Sequence, residues 1–172
     1  MAKIKLQGPI GACMQSLAAL NRIAIKTYVR HAMGKKLDPT WDADTEIGTL
    51  FWRRQFSQAM RAADMNQGRK ILDCVQTPTP FAYDVDTSAV SVPVGTWYLP
   101  KHRKSRATIL YFHGGGYTFH GAMSKRFAAM LAHHTGASLF APEYRLTPEH
   151  PHPAQTQDAL AAWCHIMQSH KP

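Results

Sequence analysis

The chain is expected to build an α/β fold, a parallel sheet with helices on its faces, and three observations point there. Ala107 to Phe112 reads as an apolar strand, Ser124 to His134 as a helix, Ala137 to Ala141 as a second strand, and a further helix follows Pro153. Strand, helix, strand and helix at this spacing imply crossover connections between parallel strands. The second observation is capacity: 172 residues at 45% hydrophobic content can bury a core and exclude a disordered tail. The third is the run His113-Gly114-Gly115-Gly116 directly after the first of these strands. Glycine weakens a strand interior, so three at a strand's end suggest close approach to the backbone or a positive φ. A flexible loop is the bland alternative, but the flanking His113 and Tyr117 distinguish the run from a low-complexity linker.

The elements follow in order. Met1 to Leu20 carries Lys3 and Lys5 ahead of a mildly apolar stretch, interrupted at Asn21 and Arg22 with no clear cleavage site, and reads as helix rather than signal peptide. Met14, Leu17, Ala18, Ile25, Tyr28, Val29 and Ala32 recur near helical spacing, and Arg22, Lys26 and Arg30 form an i, i+4 ladder on another face. This helix is expected to end near Gly34. A second begins around Asp44 or Thr45, acidic residues at its positive end, with Ile47, Leu50, Phe51, Trp52, Phe56 and Met60 as its apolar members. Thr77-Pro78-Thr79-Pro80 marks a boundary, since successive prolines remove donors and favour extended chain. The expected division is therefore 1–76 and 77–172.

Beyond it, Phe81 to Val85 and Ser91 to Leu99 are short strand candidates. Pro93 and Gly95 demote the second to an edge or bulged strand. The basic run Lys101 to Arg106 leads into the central strand, Thr108 to Phe112. Ser124 is the expected N-cap of the next helix, with Phe127, Met130, Leu131 and His134 in register and Gly136 as its stop. Pro153 suits a helix's first turn, and Leu160, Trp163, Cys164 and Met167 form the expected buried stripe of the last helix.

Two motifs now carry a resemblance. Tyr111-Phe112-His113-Gly114-Gly115-Gly116-Tyr117, followed by Tyr144-Arg145-Leu146-Thr147-Pro148-Glu149-His150-Pro151, resembles the N-terminal half of an esterase of the hormone-sensitive-lipase (HSL) family. Departures are Glu143 where the family often has Asp, Thr147 where it has Ala, and His152 where it has an aromatic. The resemblance implies an α/β-hydrolase fold, here the N-terminal half of a mostly parallel sheet preceded by cap helices within 1–76, and a carboxylic-ester hydrolase activity. It maps the oxyanion-hole donors onto the backbone N–H groups of Gly115 and Gly116, loop support onto His113, Gly114, Arg145 and Glu149, and substrate contact onto Tyr117. An HGGG-type loop forms half of the oxyanion hole in lipases and esterases.

Ester cleavage also needs a nucleophile, a base and an orienting acid. No G-x-S-x-G occurs in the chain, and Ser124, in Gly121-Ala122-Met123-Ser124, lacks the nucleophile-elbow spacing. The expectation is a chain cut after Lys171-Pro172, whose Ser, Asp and His lie on a second polypeptide, the C-terminal half of the hydrolase. The substrate would be a small acyl ester, and a higher oligomer is compatible with this. The isolated chain would be inactive. A catalytically dead binding or regulatory module keeping the loop as scaffold is the alternative.

The remaining composition argues by exclusion. A net charge of +9 invites a nucleic-acid reading, but Lys26, Arg30, Lys35, Lys36, Arg53, Arg54, Lys101, Arg103, Lys104 and Arg106 fall in no nucleic-acid fold motif, and solvated faces explain them better. Cys13, Cys74 and Cys164 are odd in number, with no CxxC, which fits a reducing, cytoplasmic setting. No run is long enough to span a bilayer. Ten histidines include His133-His134 and His150-x-His152, yet no carboxylate pair completes a ligand set, so neither metal nor cofactor is expected.

Overall fold

The computed structural model describes residues 5, 6, 8–76 and 83–169. The chain divides into two compact units, 1–78 and 79–172. The expected boundary at Thr77 to Pro80 and the first half of the strand expected at Phe81 to Val85 lie outside the described residues.

The first unit holds β1 (Lys5–Leu6), α1 (Ile10–Ala32), α2 (Ala43–Met60), α3 (Met65–Leu72) and β2 (Val75–Gln76), with β1 and β2 antiparallel. Asp42 caps α2 by accepting from the Thr45 N–H at 2.7 Å, and Asp64 caps α3 through the Gln67 N–H at 2.8 Å. The core is Cys13, Phe51 and Cys74, with Leu17, Leu20, Ile23 and Trp52 against it. The stripe expected for α1 is corrected here: Met14, Ile25, Tyr28 and Val29 are exposed, and the buried face is Cys13, Ser16 and Thr27. Small residues let the helices approach and let polar contacts form between them. Gln55 donates to Ser16 Oγ at 3.0 Å and to the Ile71 carbonyl at 3.2 Å. Fully buried Glu46 takes hydrogen bonds from Arg30, from His31 at 3.0 Å and from the Leu37 N–H at 3.2 Å. Burial works against its charge, but these donors outweigh that and hold the carboxyl below its ordinary pKa. The eight residues of α3 were too few, and too polar, to register in the periodicity.

The second unit is a four-stranded mixed sheet, in order β3 (Val85–Ser91), β4 (Val94–Pro100), β6 (Ser138–Pro142) and β5 (Thr108–Leu110). α4 (Ala122–Thr135) connects β5 to β6, which pair in parallel, Thr108 against Ser138 and Leu110 against Phe140. β3 and β4 form a hairpin and β4 runs antiparallel to β6. The strand expected at Ser91 to Leu99 is therefore corrected: Val92 and Pro93 are the hairpin turn, and β4 is paired on both sides rather than lying at an edge. Gly95 has no bulge; a β-carbon there would collide with the Phe140 ring and the Ala141 carbonyl. The strand expected at Thr108 to Phe112 is the shorter β5, and it lies at the sheet's edge among the described residues.

Side-chain alternation distributes the core over the two faces. Leu139, Tyr98 and Ile109 pack with Ala128 and Ala132 of α4. Phe140, Trp97 and Leu110 pack with Ala162 and Ile166 of α5 (Ala154–Ser169). The last helix thus turns a different face inward from the one expected. Leu160, Trp163, Cys164 and Met167 are exposed, because small Ala162 brings the helix close over Phe140. At α4, Gly121 and not Ser124 holds the N-cap position, with no side-chain cap, while Gly136 closes the helix in the left-handed conformation. No helix among the described residues is long and apolar enough to cross a membrane.

Candidate functional site

The site begins where β5 stops. The Tyr111 N–H still donates to the Phe140 carbonyl at 2.9 Å, and after Phe112 the chain leaves the sheet. Gly115 has φ 123°, Gly116 φ 61° and Tyr117 φ 60°, so three successive residues hold conformations that side chains rarely adopt. The Gly115 carbonyl accepts from the N–H groups of Thr118 at 3.1 Å and Phe119 at 3.0 Å, closing a tight turn. A β-carbon on Gly115 would overlap the Phe119 carbonyl oxygen, whereas one on Gly114 or Gly116 would meet open space. Glycine is required at 115 by both sterics and φ. Among the described residues, no hydrogen bond takes the N–H groups of Gly115 and Gly116.

His113 anchors this turn from beneath. It is 6% exposed, and its ring stacks on Tyr144 at 4.2 Å with 9° between planes and lies 3.9 Å from the His120 ring. His113 Nδ1 sits 2.9 Å from the Gly114 carbonyl, which fixes the proton on Nδ1. The Tyr144 hydroxyl donates to the His113 carbonyl at 2.6 Å. Burial lowers the pKa of His113, and lowers that of His120 to about 4, with the neighbouring His113 adding to the effect. His113 Nε2 and both His120 ring nitrogens are buried without a hydrogen-bond partner among the described residues. A neutral imidazole stack of this kind braces a loop; it does not present a base to solvent. Nearby, Lys125 pairs with Glu143 at 2.8 Å and holds that carboxyl below its ordinary pKa.

The segment 143–150 forms the second wall. Arg145 grips Asp158 of α5 with Nε at 3.0 Å from Oδ2 and Nη2 at 2.8 Å from Oδ1, and also donates to Gln157 Oε1 at 3.1 Å. Asp158 takes the Arg145 backbone N–H as well, at 2.8 Å. Gln155 Nε2 donates to the carbonyls of Arg145 at 2.9 Å and His150 at 2.6 Å. The Thr147 N–H then reaches the Tyr117 carbonyl at 2.8 Å, tying this segment to the glycine turn.

Between them opens a cleft of about 760 Å³, lined by Phe112, His113, Gly114, Gly116, Tyr117 and Tyr144 on one side and Thr147, His152, Gln155, Thr156 and Ala159 on the other. Tyr117 is 62% exposed at its mouth. The structure thus brings His113, Gly114, Gly115, Gly116 and Tyr117 around one turn, fastens Arg145 instead to α5, and leaves Glu149 exposed on the surface. Asp158, Gln155, His120 and Thr118 were missed. An acid one turn into the helix after Arg145 was a readable signal for Asp158, whereas nothing in the pattern singled out His120. Among the described residues, no group of three His, Cys, Asp or Glu could hold a metal ion.

Residues 109–171 match the family model described as the alpha/beta hydrolase fold. The chain is 39% identical over 82 residues to human arylacetamide deacetylase-like 2, a match covering 45% of this chain and 20% of that protein. It is 34% identical over 88 residues to an acetyl-hydrolase of Streptomyces hygroscopicus, covering 51% and 29%. It is 36% identical over 73 residues to carboxylesterase NlhH of Mycobacterium tuberculosis, covering 41% and 23%. These matches therefore span less than a third of the length of each relative. Among solved structures, a hormone-sensitive lipase from a metagenome library is similar with a TM-score of 0.52 and 27% identity, covering 69% of this chain and 42% of that one.

Proposed function

We propose that the chain is part of an α/β-hydrolase of the hormone-sensitive-lipase family, a carboxylic-ester hydrolase in which these residues supply the oxyanion hole. The observation that carries the reading is the pair of N–H groups on Gly115 and Gly116, unclaimed among the described residues, in a turn that only glycine at 115 can make and whose Gly114 and Gly116 line the cleft.

In this reading the ester carbonyl oxygen enters over Gly114 to Gly116 and accepts from both N–H groups as it becomes an oxyanion. Fixed backbone dipoles need no reorganisation at that moment, and losing one such donor costs about 3 kcal/mol of barrier. Tyr117 and Phe112 contact the substrate's apolar part. His113 stays neutral and holds the turn, leaving proton transfer to a base elsewhere. Because this sequence has no nucleophile elbow, Ser, Asp and His come from residues outside it, carried by a second polypeptide that completes the sheet. The helices of 1–76 serve as the cap of the same enzyme. A cytoplasmic setting belongs to the proposal and draws on three free cysteines.

The test is a serine-directed fluorophosphonate probe and a short-chain nitrophenyl ester applied to the native material, with its mass compared with the 19.2 kDa of this chain. The expected result is a heavier complex that hydrolyses the ester and, on denaturation, resolves into this chain, unlabelled, and a labelled one. Absence of label and of hydrolysis would overturn the esterase reading. Normal hydrolysis by this chain alone would overturn the divided site.

A further inference from the structure

We propose that Thr147 is a positioning residue for the oxyanion loop, acting through a hydroxyl pair with Thr118; this rests on the esterase reading of the Gly115 and Gly116 donors. Tyr117 holds φ 60° directly after Gly116 at φ 61°. A tyrosine does not keep a left-handed backbone unless its surroundings over-determine it, and such outliers concentrate where geometry serves function. The surroundings here are specific. Thr118 Oγ1 donates to the Gly116 carbonyl at 3.0 Å, and the Thr147 N–H donates to the Tyr117 carbonyl at 2.8 Å. Thr147 Oγ1 lies 3.0 Å from Thr118 Oγ1 and 3.3 Å from the Tyr117 carbonyl.

Proton counting orients the chain. Thr118 has one hydroxyl proton, and it goes to the Gly116 carbonyl. The single Thr147 hydroxyl proton is then shared between two acceptors on the turn, Thr118 Oγ1 at 3.0 Å and the Tyr117 carbonyl at 3.3 Å. Both peptide planes flanking Tyr117 are thus pinned, one through Gly116 O and one through Tyr117 O. The Gly116 N–H shares a peptide plane with the Gly115 carbonyl, bound by Thr118 and Phe119, and the Gly115 N–H shares one with the Gly114 carbonyl, bound by His113, so the clamp around Tyr117 extends a run of held planes. The other end of the clamp is rigid, since the 144–150 segment is fastened to α5 by Arg145, Asp158 and Gln155. Any residue at 147 keeps the backbone bond; only the hydroxyl is specific to Thr or Ser.

The experiment compares Thr147→Ala, Thr147→Val and Thr147→Ser in the native assembly that contains this chain. Expected for Ala and Val is a roughly tenfold fall in kcat with KM within twofold of the parent, and a roughly tenfold faster amide hydrogen exchange at Thr118 and residue 147, whose N–H groups are bonded to the Gly115 and Tyr117 carbonyls. Serine returns both to within about twofold. Equal exchange in Val and parent, or failure of Ser to restore it, would overturn the clamp. If no ester is hydrolysed by any form, the esterase reading fails, while the exchange comparison still decides whether the hydroxyl holds the loop.

Discussion

The carbonyl oxygen of Phe119 occupies the space that a β-carbon on Gly115 would need, four residues back along the same turn. The Phe119 N–H meanwhile bonds the Gly115 carbonyl at 3.0 Å, so neither residue can retreat without opening the turn. Gly115→Ala is expected to abolish esterase activity in the native assembly and to destabilise the unit by about 2 kcal/mol, from the clash and the positive φ together. Gly114→Ala is the control: its methyl meets open space, so melting should be nearly unchanged while the methyl, projecting into the cleft, lowers activity. Thermal melts and initial rates on the two variants check this, and equal stability loss in both would refute it.

Arg145 and Asp158 meet through three side-chain hydrogen bonds plus a backbone donor, a fork that lysine cannot reproduce. Arg145→Lys is therefore expected to lower the melting temperature nearly as far as Arg145→Ala, by a few degrees. Because the pair is partly exposed, the gap to the parent should narrow in high salt. Melts at low and high salt check this, and full retention of stability by lysine would show that charge alone matters there.

The turn at 113–117 was legible because local chemistry decides it: only glycine tolerates the backbone at 115, so the requirement is written into the residue type. The stop at Gly136 and the start of α2 near Asp44 were legible for the same reason. What escaped depends on packing. The large apolar residues of α5 suggested a buried stripe, yet the helix turns Ala162 inward, since approach to Phe140 rewards a small side chain more than a large one. α1 repeats this with Ser16 and Thr27, which meet Gln55 of α2 and Arg30 of α1 itself, polar partners that no periodicity reveals. Pro93 misled for a different reason: one interrupted strand and a hairpin turn have the same residues, and only the register of Val85 against Pro100 separates them. His120 was invisible because its place beside His113 is set by the turn's closure.

Cys13 and Cys74 share the core of the first unit at 2% and 0% exposure, whereas Cys164 is exposed on α5. Burial, with Cys13 alongside, pushes the Cys74 thiol up to about 12, and the thiolate is the reactive form. One thiol should react quickly with an alkylating reagent at pH 8 and two only on unfolding. Mass spectrometry of peptides after brief labelling checks this, and early modification of Cys74 would mean that the helical core opens in the native state.

The stacked histidines set a pH limit whose sign follows from linkage. His113 and His120 are neutral when folded because burial lowers their pKa values, that of His120 to about 4, while unfolded imidazoles titrate near 6.5. Glu143 opposes this and Lys125 adds to it at His120, but neither cancels the burial. Between these values the unfolded chain binds more protons than the folded one, so stability is full above about pH 6.5 and is lost as pH falls toward 4. Melting of the native assembly should be flat from pH 8 to 7 and drop by several degrees between 6.5 and 5, above the range where ordinary carboxylates titrate. His120→Phe removes two unpartnered buried nitrogens while keeping a ring against His113, so it should hold or raise the melting temperature at pH 7 and flatten the acid limb. A limb equally steep in His120→Phe would assign the acid sensitivity to other groups.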